Sequence, residues 1–170
     1  VLRRAYPLFL ALFLHASPTW AADVVFAFGP MGGAVVGPAQ SSLGLLGGEL
    51  TFVHYVETFE LGVGGFLQAS TVGFERARFS VGPQVNFSLL GAEVGAMFDT
   101  AAPGRSGCVG VHLAPFVSSG YASLAIQTGI PVVPLSEGPL PRWSVTFAVT
   151  LKLPISVKNG PYFPWDIDMK

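Results

Sequence analysis

Charge is scarce in this chain. Asp, Glu, Lys and Arg together make up 11 % of its 170 residues, where soluble domains average about 25 %. So few charges cannot coat a surface that faces water. The formal net charge is −1 and no basic run is present, which excludes nucleic acid as a partner. Beyond the N-terminus no uncharged apolar run reaches the roughly 18 residues that a helical span needs. Cysteine is nearly absent: Cys108 stands alone, which excludes an intramolecular disulfide and any cysteine-based zinc site and leaves a small hydrophobe unless it pairs with another chain. Against these shortages, hydrophobic residues make up 51 % of the sequence. That composition calls for apolar solvent outside or a very large core, and a single domain of this size cannot supply such a core.

What is present is alternation. In Arg78–Phe87 the residues Phe79, Val81, Val85 and Phe87 share one face, and Arg78, Ser80, Gln84 and Asn86 share the other. Period-two alternation is the mark of a β-strand. It recurs through Lys152, and the face poorer in apolar residues is mostly Gly, Ser, Ala, Thr and Gln.

The N-terminus reads as a signal peptide over residues 1–21. Arg3 and Arg4 form a basic start, and Ala5–Ala16 is a short apolar stretch. Pro18 breaks the helix, and Thr19-Trp20-Ala21 supplies small residues for a peptidase. Cleavage is expected after Ala21, with Ala22 as the second choice. The apolar stretch is too short for a comfortable transmembrane anchor.

Eight strands are expected after the leader: Val24–Val36, Gly44–Val56, Phe59–Ser70, Arg76–Phe87, Leu90–Asp99, Cys108–Val117, Tyr121–Ile130 and Arg142–Leu153. Most match the length with which a tilted strand crosses hydrocarbon. Glu57-Thr58, Ser88-Leu89 and Ser118-Ser119-Gly120 read as tight turns. Gly37–Leu43, Thr71–Glu75, Thr100–Gly107 and Pro131–Pro141 read as longer connections rich in Gly, Pro, Ser and Thr. Alternating short and long connections predict an all-β, eight-stranded, antiparallel up-and-down barrel with a tight end and a loopy end. Gly29-Pro30 interrupts the first strand. Pro83 and Pro115 fall inside strands, and bulges are expected there.

Parity assigns the faces. Leu50, Phe52, Leu67, Phe79, Val81, Val85, Val94, Val111, Leu124, Phe147 and Leu151 point outward, as does His54 near the tight-turn end. Glu49, Thr51, Glu60, Gln68, Arg78, Gln84, Asn86, Glu93, His112, Gln127, Ser144, Thr146 and Lys152 point inward. A soluble lipocalin-like barrel would reverse this, with apolar residues inside and charge outside. The polarity predicts a transmembrane barrel whose lumen is filled by a polar network of Glu49, Glu60, Arg78, Gln84, Glu93, His112 and Lys152, since eight strands leave room for little else. The carboxylates there need Arg78, Lys152, a shared proton or water. Phe66 and Phe116 also fall inward, with Gly62, Gly64, Gly95 and Gly110 as the expected source of room. Aromatic girdles are expected from Tyr55, Phe59, Phe87 and Tyr121 at one end and from Phe74, Phe79, Phe98 and Trp143 at the other.

With its leader, its strands and segments such as Phe79-Ser80-Val81-Gly82-Pro83 and Val145–Pro154, the chain resembles small eight-stranded outer-membrane β-barrel proteins of Gram-negative bacteria over roughly Val24 to Leu153. The resemblance implies a monomeric barrel over residues 22–153 in the cell outer membrane, with outer-membrane lipid and the barrel insertion machinery as partners. Residues 154–170 are expected to form a periplasmic tail. Members of that family commonly end in a strand with a terminal aromatic residue. This chain ends its last expected strand in Leu-Pro, and Pro161 and Pro164 argue against a strand in the tail, which leaves the insertion signal to an internal segment.

The function expected is structural, with transport of small apolar molecules or adhesion as the first alternative. Some barrels of this kind are lipid-modifying enzymes, and His112 with Glu93 and a serine such as Ser80, Ser123 or Ser144 is the only set that would serve. No local motif accompanies it. His54 and His112 have opposite parity and do not make a metal site. No catalytic residue, metal or cofactor is assigned.

Overall fold

Valine, phenylalanine and threonine at every second position favour a pleated, two-faced backbone. The computed structural model, which describes residues 24–38, 40–56, 61–156 and 160–161, is all-β. The strands are β1 (Val24–Gly37), β2 (Gln40–Val56), β3 (Leu61–Val72), β4 (Arg76–Phe87), β5 (Leu90–Asp99), β6 (Cys108–Ser118), β7 (Ala122–Pro134), β8 (Ser144–Leu151), β9 (Leu153–Ser156) and β10 (Gly160–Pro161). Each of β1 to β7 pairs antiparallel with the next, and β1 pairs with β8 to close the barrel. The expected leader at residues 1–21, Glu57-Thr58, Phe59, Glu60 and the end of the expected tail from residue 162 lie outside the described residues.

The barrel has eight staves because β8 and β9 are one stave interrupted at Lys152. Met31 opposes Thr150 and Phe28 opposes Leu153 in a common register. The pairing therefore runs past the expected limit at Leu153 and takes in Pro154, Ile155 and Ser156. β10 folds back on β9 and places Pro161 opposite Ile155. A strand in the tail was not expected. Proline is tolerated there because β10 is a two-residue strand at the end of the strand order.

Pro83 and Pro115 do not produce the expected bulges, and Gly29-Pro30 does not break the first strand. Register is preserved through all three. Each instead leaves a gap in one ladder: β1 with β8 and β9, β4 with β5, and β6 with β7. The Pro83 gap is flanked by Gly82 and Gly95, where a Cβ would meet backbone oxygens at 2.1 and 2.2 Å. Gly95 thus makes room for a neighbouring backbone and not for a phenylalanine. The register shifts lie elsewhere, between Val35 and Gly37 and between Val109 and Gly110. The second turns both Val132 and Val133 outward.

The connections are also shorter than expected at two places. β1 and β2 pair out to Gly37 and Gln40, and β3 passes to β4 through Gly73-Phe74-Glu75, with Phe74 at φ 58°. Only the β5–β6 and β7–β8 connections are long. Two contacts tie these loops to each other: the Ser106 hydroxyl donates to the Pro139 carbonyl at 3.0 Å, and Leu135 N–H donates to the Gly107 carbonyl at 2.8 Å.

Polarity follows the wall. Among the described strand residues, no exposed one is Asp, Glu, Lys or Arg, and His54 is the one exposed ionisable side chain. The exposed set includes Leu50, Val63, Leu67, Val81, Val94, Ile126 and Phe147. Two outer ring pairs, Phe26 with Phe52 and Phe79 with Phe98, lie 5.1 and 6.2 Å apart. Tyr55 departs from the expected girdle. It turns inward, where its hydroxyl accepts a hydrogen bond from the Asn86 amide at 3.3 Å.

Candidate functional site

The inner face is where side-chain chemistry collects, because alternation sends every second residue of each strand there. Glu49, Arg78, Gln84, Glu93 and His112 are all buried on this face, and the Lys152 side chain is 6 % exposed. Glu60 lies outside the described residues. Among the described residues the inward charges are three acids (Glu49, Glu93, Asp99) and three bases (Arg76, Arg78, Lys152). A balanced interior avoids the large cost of an uncompensated buried charge.

Among the described residues these side chains form three hydrogen-bonded groups. The first lies mid-barrel. The Gln68 amide donates to Glu49 Oε2 at 3.2 Å and to Glu93 Oε2 at 3.0 Å, so one NH2 bridges two carboxylates. Lys152 pairs with Glu49, and Thr150 donates to the same carboxylate at 3.2 Å. Gln127 donates to Gln68 Oε1 at 3.3 Å. His112 Nε2 lies 3.3 Å from Glu93 Oε2, and its ring packs against Phe66 at 5.1 Å.

The second group closes the loop end. Asp99, 1 % exposed, receives both arms of a bidentate contact from Arg78: Nε to Oδ1 at 2.7 Å and Nη2 to Oδ2 at 2.9 Å. Paired N–H donors in one plane fit a carboxylate better than any single point charge. Arg78 Nη2 also donates to Ser144 Oγ at 3.2 Å. Arg76 approaches the same carboxylate at 3.7 Å. The third group, at the tight-turn end, is Gln84, Asn86 and Tyr55, with Gln84 Nε2 donating to Asn86 Oδ1 at 2.8 Å.

Gln84 sits opposite Glu93 in the β4–β5 register but donates to Asn86, and Arg78 serves Asp99 and not a glutamate. Asp99, Arg76, Gln68, Thr150, Gln127, Ser144, Asn86 and Tyr55 are members that lie outside the expected set. Counting by twos turns Asp99, Arg76, Gln68 and Thr150 inward, but it says nothing about which of them touch. A cavity at the tight-turn end, beside Tyr55, Gln84 and Lys152, measures about 30 Å³, a single water's share of liquid volume. Met31, Val35, Leu45, Val72 and Ala148 form an apolar cluster toward the loop end. Phe116 lies over Gly91, where a Cβ would meet the ring at 2.1 Å. Gly91, and none of the four glycines expected to do so, makes room for that phenylalanine.

Chemically, the mid-barrel group holds a base beside an acid but no nucleophile in place. Among the described residues no serine hydroxyl hydrogen-bonds His112, and Ser144 is engaged by Arg78. His54 and His112 face opposite sides of the wall. Cys108 is a buried free thiol.

An open concavity of about 690 Å³ lies at the β1–β8 seam, where Phe28, Pro30, Leu50 and Leu151 border it together with Glu49 and Lys152. It coincides with the gap that Gly29-Pro30 leaves in the ladder. Comparison of the chain with protein-family models, with curated proteins and with solved structures gave no match.

Proposed function

We propose that this protein is a structural β-barrel of the bacterial outer membrane, of the small eight-stranded Gram-negative kind, with a side-chain-filled lumen that does not conduct. In this reading residues 1–21 are a leader removed on export, the apolar outer wall contacts outer-membrane lipid, and the barrel insertion machinery places the monomer. The protein is not an enzyme in this reading, and it uses no cofactor.

One observation carries it: the exposed face of the described strands is apolar and holds no Asp, Glu, Lys or Arg. In water such a belt would drive aggregation. In hydrocarbon it is the required surface, and a closed barrel leaves no backbone edge unpaired there. The balanced, hydrogen-bonded interior supports the filled lumen.

The test is fractionation followed by gel mobility in detergent with and without heating. The expected result is recovery with the outer membrane and a heat-dependent shift. Recovery as a dissolved periplasmic monomer without detergent would overturn the reading. In a planar bilayer the folded protein is expected to give no steady single-channel conductance.

A further inference from the structure

At the loop end the surplus is of cations, where mid-barrel it is of carboxylates. Arg76 and Arg78 share one carboxylate, Asp99, which is engaged at both oxygens by Arg78. The Arg76 side chain is only 7 % exposed, yet its Nε is buried with no hydrogen-bond partner. A buried guanidinium donor left unused is costly, and here it borders a cavity of about 190 Å³ that Arg105, Arg142, Trp143 and Ser144 also line. No acidic residue lines that cavity. The nearest other carboxylates in sequence, Glu75 and Glu137, are exposed on their loops. Arg78 and Arg105 both act on Arg76 as like charges.

The cavity is built by the fold. It lies between the two long loops that Ser106 and Leu135 tie together. A tight turn with Gly104 at φ 74° and Ala102 paired to Arg105 brings Arg105 back toward the barrel.

We propose that this pocket binds a phosphate-type oxyanion, with Arg76 at its base and Arg105 and Arg142 at its rim. Guanidinium forks match tetrahedral oxyanions, which accept several N–H bonds at once. The volume equals roughly six waters' share of liquid, enough for one phosphate group and not for a nucleotide. The ligand is a phosphomonoester on a lipid headgroup or free phosphate; both present the same group.

The experiment uses the full folded chain in a maltoside detergent, which carries no phosphate. Inorganic phosphate is titrated by calorimetry against chloride at matched ionic strength, and then mixed micelles containing phosphatidic acid are compared with micelles containing phosphatidylcholine. Saturable binding of inorganic phosphate supports a free-anion ligand. Saturation by phosphatidic acid alone supports a headgroup ligand. Binding of neither beyond the chloride and phosphatidylcholine controls overturns the proposal. Arg76→Gln is expected to weaken binding by tenfold or more, about 1.4 kcal/mol. Arg142→Gln, on an exposed loop residue, preserves folding and is expected to weaken binding several-fold, so that unchanged binding in Arg142→Gln also overturns the proposal.

Discussion

The middle of the lumen and its loop end solve the same problem with opposite surpluses. Mid-barrel, Glu49 and Glu93 face one lysine, Lys152. At the loop end, Arg76 and Arg78 face one aspartate. The acid surplus is spread over the Gln68 amide and the Thr150 hydroxyl, with the His112 ring beside Glu93. The cation surplus has fewer partners and opens onto a cavity lined by further arginines. The difference teaches where each group gets its stability. An excess carboxylate is held by amides and hydroxyls in a closed interior, whereas an excess guanidinium offers donors that the barrel itself does not use.

The largest effect is expected where one residue holds a charge alone. Arg78→Ala leaves Asp99 buried with only the 3.7 Å contact to Arg76, and breaking a buried pair from one side costs about 3–5 kcal/mol. Lys152→Met should cost less, because Glu49 keeps Gln68 and Thr150. Urea titration of the detergent-folded protein measures both. Equal costs would erase the contrast between the two groups.

Next comes the wall that surrounds both. Val81→Arg places a charge on the outer face near mid-strand and is expected to cost about 2–4 kcal/mol in a lipid bilayer. Gln84→Arg, on the inner face of the same strand, should be milder. Matched losses would mean that the outer wall does not meet hydrocarbon.

Gln68→Leu sharpens the account of the mid-barrel group. It removes the amide shared by Glu49 and Glu93 and the acceptor used by Gln127, for an expected loss of about 1–3 kcal/mol. The same unfolding measurement shows whether the bridge or the Lys152 pair dominates. Ser144→Ala is the smallest change. Arg78 loses one acceptor and keeps its bidentate partner, so a loss of about 0.5–1.5 kcal/mol is expected.

Much of the wall was legible in the residue pattern. Arg76–Phe87 and Leu90–Asp99 run between the limits read from alternation, because both are bounded by turn residues and lack irregular pairing at their ends. The less legible parts have physical causes. The β1–β2 connection looked long because Gly and Ser signal loops, yet small residues also fit a hairpin that pairs to its tip. The prolines looked like bulge sites because each removes a donor. In the structure the neighbouring pairs hold the register across a missing bond, and the bulge falls at Gly110 and Pro131 instead. The candidate site divides in the same way. The inward parity of Glu49, Arg78, Glu93 and His112 needed no more than counting by twos. The sharing of Gln68 between two carboxylates needed the stagger that brings β2, β3 and β5 together across the lumen.

Alone, then, the order of residues determined the strand character, the two faces and the scarcity of charge outside, because period-two patterning is local and each strand displays it by itself. Only the tertiary structure decided which carboxylate meets which base, where Phe116 finds room, how Pro154 and Ile155 join the last stave, and that three arginines from different segments border one cavity. Those outcomes depend on register and closure. Neither is written in any one strand, since each is fixed by how all eight staves fit around a common axis.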